Sequence, residues 1–445
     1  MKKTFFSFIA IISFLLPCFT AFGEPTNPAD TVETPAEGLT LAADAAILMD
    51  AATGEVLYEK DIHKKEYPAS ITKLMTILLA LEKGSLTDTL TFSHDAIYSI
   101  ERGSAHIAIQ EGETLTLEQV LRAIILRSAN EASNGIAEYV DGSMEAFARH
   151  MTNRAKELGC QGTNFVNANG LFDENHYTTA YDMALIAKEL LTHKEYRAIM
   201  SETYYEIPPT NKQTETRYLH GQHQMLNKNS LYYYEYAIGG KTGFTSEALN
   251  TLVTYAKKDH TELIAVVFKC KGAEHYTDTA ALFDYGFSHY ETVKLLSAAD
   301  YTKTVQVTET YKKKTTTLDT VSVAPAGDVY HTLPIGADIS ALKVSVDCPE
   351  SIEAPVAEGQ SIGKITLALN GKTLQTVDMK AAKAVSATSD EARAAAKQAG
   401  RKALFKKIAL VIGGILLAFC VLLCITRTIG YYRRKKRRAR RRRRR

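Results

Sequence analysis

Apolar and polar positions along the chain follow three successive patterns. Between Ala45 and Asp61, "AAILMDAATGEVLYEKD" sets two short apolar runs around Ala52-Thr53-Gly54, the signature of a β-hairpin. From Pro68 onward, Leu74, Met75, Ile77, Leu78 and Leu81 recur at helical spacing up to Gly84, which predicts a helix stopped by a glycine. A second helix opens at "TLEQVLRAIILRSAN", where Thr116 and Gln119 have the spacing of a capping box. Helical patterns follow over roughly 144–158 and 178–192. Strands are expected near 251–256 and 262–268, then a closing helix at about 276–288. From Tyr301 the texture becomes alternating Thr and Val, as in "TKTVQVTETYKKKTTTLDTVSVAP" and "SIGKITLALNGKTLQTVDM". This is the period of half-exposed antiparallel strands and predicts a separate β domain over 300–380.

The two ends depart from this globular pattern. "MKKTFFSFIAIISFLLPCFTAFGE" has Lys2 and Lys3, an apolar run and small residues at Ala21 and Gly23, as in a secretion signal over 1–23. Pro17 argues against a lipoprotein anchor at Cys18. A Pro-, Thr- and Glu-rich linker follows over 24–40, then a main domain expected over 41–295. Beyond the β domain, 381–407 is Ala-rich and reads as a helical stalk. Ile408 to Thr426 carries no charge and has the length of a transmembrane helix. The arginine-rich end, 427–445, is then a cytoplasmic positive-inside tail with attraction to anionic lipid, which places residues 24–400 outside the cytoplasm and the chain as single-pass in the cell membrane.

Charge narrows the partners. With the 12 basic residues of 433–445 and the 2 of the leader set apart from the 53 in the chain, residues 24–432 carry 39 basic against 50 acidic residues, a net of −11. An acidic exported part is no nucleic-acid binder. With Cys18 in the leader and Cys420 and Cys424 in the span set aside, Cys160, Cys270 and Cys348 are left, too few and odd in number for a disulfide framework.

The candidate chemistry starts at "YPASITKLMT". A helix beginning near Pro68 or Ala69 puts Ser70 and Lys73 on one face, with Ser70 in the first turn, where free N–H groups and the helix dipole favour a nascent alkoxide. Taken alone, the pair also fits a capping serine beside a solvated lysine. Ser361 and Lys364 repeat the spacing within a strand pattern, where the two side chains should face opposite sides of a sheet. Two further tripeptides change the weighing: Ser128-Ala129-Asn130 at the end of an apolar helix, and Lys241-Thr242-Gly243 in "AIGGKTGFTSEA". No metal site is expected, His220 and His223 of "HGQH" reading as loop histidines, and no cofactor. Asn167 to Leu171, "NANGL", reads as a structural turn.

In this order, S-x-x-K, S-x-N and K-T-G match the motif set of penicillin-binding proteins and class A β-lactamases. Together with "RSANEASNGIAEYV", "NFVNANGLFDENHYTTAYDMALIAKELL" and "GGKTGFTSEA", the chain over about 40–293 resembles the low-molecular-mass penicillin-binding proteins of the serine-type D-alanyl-D-alanine carboxypeptidase family. The resemblance implies an α/β (α+β) transpeptidase-like domain, followed by the small antiparallel β domain and the transmembrane helix. It implies that Ser70 is the acylated nucleophile, Lys73 its base, and Ser128 a proton relay to the leaving amine. Asn130 would hold the substrate amide, Lys241, Thr242 and Gly243 the terminal carboxylate, and the N–H groups of Ser70 and Phe244 the oxyanion. The partners it implies are peptidoglycan stem peptides and β-lactam antibiotics. The sequence departs from the family at Ala248-Leu249, where an Ala-Gly pair is usual, and from class A β-lactamases in S-A-N for S-D-N and in lacking a clear E-x-x-L-N. A β-lactamase, or a silent wall-binding or sensor module, is the alternative reading.

Overall fold

The computed structural model describes residues 39–388 and 390–442. The expected leader, nearly all of the linker and the last arginines, 443–445, lie outside the described residues. The chain divides into two units: the first runs to Glu291 and takes in Thr332–Ile335, and the second comprises Thr292–His331 and the chain from Gly336 onward.

In the first unit, β1 (Ala45–Asp50) and β2 (Val56–Lys60) form the expected hairpin. After a 3₁₀ turn at Ala69–Thr72 come α1 (Lys73–Lys83), β3 (Thr89–Thr91), α2 (His94–Tyr98), β4 (Thr114–Thr116), α3 (Leu117–Arg127), α4 (Asn130–Asp141) and α5 (Met144–Glu157). Then follow α6 (Ala180–Leu190), α7 (Lys194–Ile199), β5 (Tyr204–Ile207), β6 (Arg217–His220), β7 (Ala237–Thr245), β8 (Leu249–Lys258), β9 (Thr261–Cys270) and α8 (Glu274–His289). Strands β2-β1-β9-β8-β7 make one antiparallel sheet in that order.

The sheet is covered on both faces, which explains the unbroken apolar run "LIAVVF" in β9. Ile47, Met49, Ile264, Val266 and Phe268 point into a core shared with α1, α3, α4 and α6. Their neighbours Ala46, Leu48, Leu263, Ala265 and Val267 point into a second core built on Leu282 and Phe283 of α8. Helix α3 starts with the expected capping box between Thr116 and Gln119, a device worth about 1 kcal/mol. Gly84 does end α1, but in extended rather than left-handed backbone, φ −135°. Its reason is space: a Cβ there would lie 2.0 Å from the Tyr139 hydroxyl.

Strands β10 (Tyr290–Leu296) and β13 (Val329–Pro334) carry the chain across the unit boundaries. The second unit holds β11 (Lys303–Tyr311), β12 (Lys314–Pro325), β14 (Lys343–Asp347), β15 (Ser351–Glu353), β16 (Ser361–Leu369) and β17 (Lys372–Ala381), in the order β14-β16-β17-β12-β11-β15. Its pairs are antiparallel except β11–β15, which is parallel, a correction to the all-antiparallel expectation. The three-residue β15 reaches β11 only after a long connection, so no hairpin dictates its direction. A bulge between Ser361 and Gly363 breaks the alternation in β16, and Ser361 and Lys364 are both exposed instead of facing opposite sides.

Val385 still bridges to Val356 of the β unit, so the helical segment starts later than expected, as α9 (Asp390–Arg442). Among the described residues, no helix is long and apolar enough to cross a membrane.

Candidate active site

The turn that carries Ser70 is fixed from three directions. Ala69 adopts a left-handed φ of +50°, a strained backbone for a residue with a Cβ. The Pro68 carbonyl accepts from Thr251 Oγ1 of β8 at 2.8 Å. Gly170 presses on the same turn so closely that a Cβ there would sit 1.9 Å from the Ala69 carbonyl oxygen. Gly243 of β7 brings bare backbone to the third side, where its Cβ would lie 2.9 Å from the Ser70 nitrogen. The 3₁₀ turn eclipses positions three apart, so Ser70 and Lys73 come into register at its end.

Lys73 is fully buried, and its Nζ lies 2.9 Å from Ser70 Oγ and 2.7 Å from Asn130 Oδ1, with the Asn169 carbonyl as a third partner. Burial pushes its pKa well below the ordinary lysine value; Lys241 pushes the same way and Glu131 opposes. A neutral lysine has two N–H donors and one lone pair. Asn130 Oδ1 and the Asn169 carbonyl can only accept, so the lone pair must face the Ser70 hydroxyl.

Ser128 caps α3 at a left-handed φ of 58°, two residues before Asn130 starts α4. Its Oγ is buried with no hydrogen-bond partner among the described residues. Lys241 is buried in the K-T-G strand, donates to the Thr242 carbonyl at 2.8 Å, and is pushed down to about 7 by desolvation. Phe244, next along β7, is 64% exposed. Leu249 opens β8 in a left-handed conformation, φ 53°, at the position where the sequence departs from Ala-Gly.

The structure therefore joins Ser70, Lys73 and Asn130 by direct hydrogen bonds, places Gly243 against Ser70, and couples Lys241 to Lys73 by charge. Ser361 and Lys364 belong to the other unit. "NANGL" is a turn, as expected, with Gly170 N–H donating to Asn167 Oδ1 at 2.7 Å and Leu171 N–H to Asn169 Oδ1 at 2.9 Å. It also supplies the carbonyl that holds Lys73, a role that a backbone group cannot announce in a sequence.

The loop reading holds for His223, which lies between β6 and the next 3₁₀ turn, and is corrected for His220. His220 ends β6, and His223 is buried, its Nε2 paired with Thr254 Oγ1 at 3.0 Å and its pKa lowered to about 3, chiefly by burial. His176 was not singled out from the sequence. It is buried, pairs through Nε2 with Thr72 Oγ1 at 2.8 Å, accepts from Val166 N–H on Nδ1, and is held neutral by burial at a pKa of about 3. Among the described residues, no group of three His, Cys, Asp or Glu side chains could hold a metal ion.

A D-alanyl-D-alanine carboxypeptidase family model matches residues 29–272, and a model of the penicillin-binding protein 5 C-terminal domain matches 290–387. The chain belongs to the D-alanyl-D-alanine carboxypeptidase family. The D-alanyl-D-alanine carboxypeptidase DacF of Bacillus subtilis (strain 168) is 34% identical over 75% of this chain and 83% of its own length. DacC of Escherichia coli (strain K12), of the same description, is 33% identical over 78% and 84%. Among solved structures, penicillin binding protein 5 from Haemophilus influenzae aligns with a TM-score of 0.59 at 27% identity, covering 78% of this chain and 99% of that one. The peptidoglycan synthesis regulatory factor (PBP3) from Streptococcus pneumoniae gives 0.62 at 25% identity, over 78% and 100%. Both the transpeptidase-like α/β unit and the C-terminal β unit are thus family features.

Proposed function

We propose that this member of the carboxypeptidase family works through an acyl-enzyme on Ser70. The chain is a serine-type D-alanyl-D-alanine carboxypeptidase, a hydrolase acting on peptidoglycan stem peptides and acylated by β-lactams. One observation carries the residue assignment: among the described residues, buried Lys73 has a single hydrogen-bonded neighbour that can hand it a proton, and that neighbour is Ser70.

In this reading neutral Lys73 takes the Ser70 proton as Oγ attacks the carbonyl of the penultimate D-alanine. The N–H groups of Ser70 and Phe244 receive the oxyanion. Ser128, whose hydroxyl is otherwise unpartnered, passes a proton to the departing amine. Asn130 holds the scissile amide, and Lys241, with Thr242 and Gly243, grips the terminal carboxylate with a charge-assisted contact. Water then releases the shortened peptide. Intact labelling by a fluorescent penicillin, together with release of D-alanine from a stem pentapeptide, tests the reading; a folded protein that does neither is the silent module. Rapid turnover of the penicillin adduct, without D-alanine release, would make it a β-lactamase.

The same proposal places residues 1–23 as an export leader and Ile408–Thr426 as a single membrane anchor, with the catalytic unit outside the cytoplasm and the basic end inside. Its support is the sequence: 19 uncharged residues followed by an arginine-rich end. The described apolar side chains of α9 there, such as Leu410 and Leu417, are also exposed. A chain ending at residue 389 should leave the membrane fraction and keep its acylation rate. Retention on membranes removes the anchor assignment.

A further inference from the structure

Asn134 lies one helical turn beyond Asn130, on the same face of α4. Its side chain is 2% exposed. An asparagine inside a helix forgoes the propensity of an alanine or leucine, and a buried amide is costly unless its polar atoms are paired. This one is paired at both ends. Nδ2 donates to the Ala96 carbonyl at 3.2 Å and to Ser99 Oγ at 3.1 Å, and Oδ1 accepts from Asn169 Nδ2 at 3.1 Å.

The orientation of both amides follows from their partners. The Ala96 carbonyl can only accept, so the nitrogen of Asn134 faces it and the oxygen faces Asn169. Asn169 therefore presents its nitrogen to Asn134 and its oxygen to the Leu171 N–H, at 2.9 Å. The side chain of Asn169, itself buried, is held at both of its polar atoms.

The main chain of Asn169 is what touches Lys73. One residue earlier, Thr76 Oγ1 of α1 donates to the Ala168 carbonyl at 2.6 Å. The Asn169 carbonyl sits between that hold and the one from Asn134, and accepts from Lys73 Nζ. Helix α4 thus reaches Lys73 twice: directly through Asn130 Oδ1, and one turn later through Asn134 and Asn169. Two acceptors take the two hydrogens of the neutral amine and leave its lone pair for Ser70. With the Asn169 carbonyl turned away, the amine is free to rotate and to point a hydrogen, not the lone pair, at Ser70 Oγ.

We infer that Asn134 is a positioning residue for acylation: through the Asn169 side chain it fixes the carbonyl that aims the Lys73 lone pair at Ser70. The inference rests on Lys73 being the base. Ala96, Ser99 and Asn169, the hydrogen-bond partners of Asn134, are not among the groups assigned to hold the substrate. Loss of Asn134 therefore belongs to the acylation step and not to the initial binding of substrate or penicillin.

The test is benzylpenicillin acylation of the full chain, resolved by stopped flow into the dissociation constant of the initial complex and the acylation rate constant. Asn134→Leu keeps the shape and removes the amide. It should lower the rate constant about 10-fold, a part of the ~10²–10⁴ that a positioned general base supplies, and leave the dissociation constant within about two-fold. In a Lys73→Ala background, with no lone pair to aim, the same substitution should change the residual acylation by less than about two-fold. An unchanged rate constant in Asn134→Leu overturns the inference. So does a weakened initial complex with the rate constant intact. A loss that persists undiminished in the Lys73→Ala background also overturns it, since Asn134 would then support the site as a whole. If Asn134→Leu does not fold, Asn134→Ser, too short to reach Asn169, is read by the same measurements. Failure of the unaltered protein to acylate at Ser70, or undiminished acylation by Lys73→Ala, removes the Lys73 reading itself, and is seen before any Asn134 variant is made.

Discussion

Lys73 Nζ lies 2.9 Å from Ser70 Oγ, and Ser70 is the one of its hydrogen-bonded neighbours able to donate to it. Burial, with Lys241 pushing the same way, lets an amine that would ordinarily stay charged act as a base, and the pairing aims it at one hydroxyl. It follows that an always-charged replacement cannot substitute. Lys73→Arg, which keeps the cation and loses the lone pair, should slow penicillin acylation by ~10²–10⁴-fold, the range for losing a positioned general base. Stopped-flow acylation measures this, and a rate within a few-fold of the original would remove Lys73 from proton transfer.

Lys241 should give the profile its basic limb. Burial lowers it to about 7, and it must be protonated to hold a carboxylate. For kcat/KM, which reports the free enzyme, activity on a carboxylate-terminated peptide should fall as pH rises above about 7. A bound carboxylate favours the charged form, so the same limb in kcat should lie at higher pH. Coincident limbs would show that Lys241 does not meet the substrate.

The same buried lysine costs stability in a window whose sign is fixed. Its folded pKa is below its unfolded one, so the unfolded chain binds the extra proton between about 7 and 10.5, and stability rises with pH across that range. Lys241→Met should therefore melt higher than the original protein at pH 6 while losing activity on peptides. A lower melting temperature for Lys241→Met at pH 6 would contradict the depressed pKa.

Gly170 and Gly142 offer a paired test of the nucleophile's turn. Both are left-handed, φ 82° and 76°, but a Cβ on Gly170 would lie 1.9 Å from the Ala69 carbonyl oxygen, whereas Gly142 has open space around it. Gly142→Ala should cost about 1–2 kcal/mol, the left-handed penalty alone. Gly170→Ala should cost more, roughly 3 kcal/mol, with a large loss of acylation because the turn beneath Ser70 must shift. Equal melting shifts would show that the contact at Ala69 is soft.

Much of this was legible in the chain. The hairpin at Gly54, the capping box at Thr116 and the alternating β domain follow from periodicity. The three motifs were readable because their chemistry demands particular side chains at fixed spacing. What escaped has physical reasons. The Asn169 carbonyl that holds Lys73 is a backbone group, and any residue would supply one. Asn134 looks like an ordinary polar residue on a helix until its burial is known. His176 and His223 gain their roles from contacts with Thr72 and Thr254, far away in sequence. The parallel β15 and the bulge at Ser361 depend on long connections and register, which an alternating pattern does not encode.

The most direct test is mass mapping of the peptide that carries the penicillin adduct, made on the full chain and on Ser70→Ala. The account predicts one adduct, on Ser70, none in the alanine variant, and undiminished labelling in Ser361→Ala. An adduct on Ser128, Ser361 or any other residue, or labelling that survives Ser70→Ala, would contradict it.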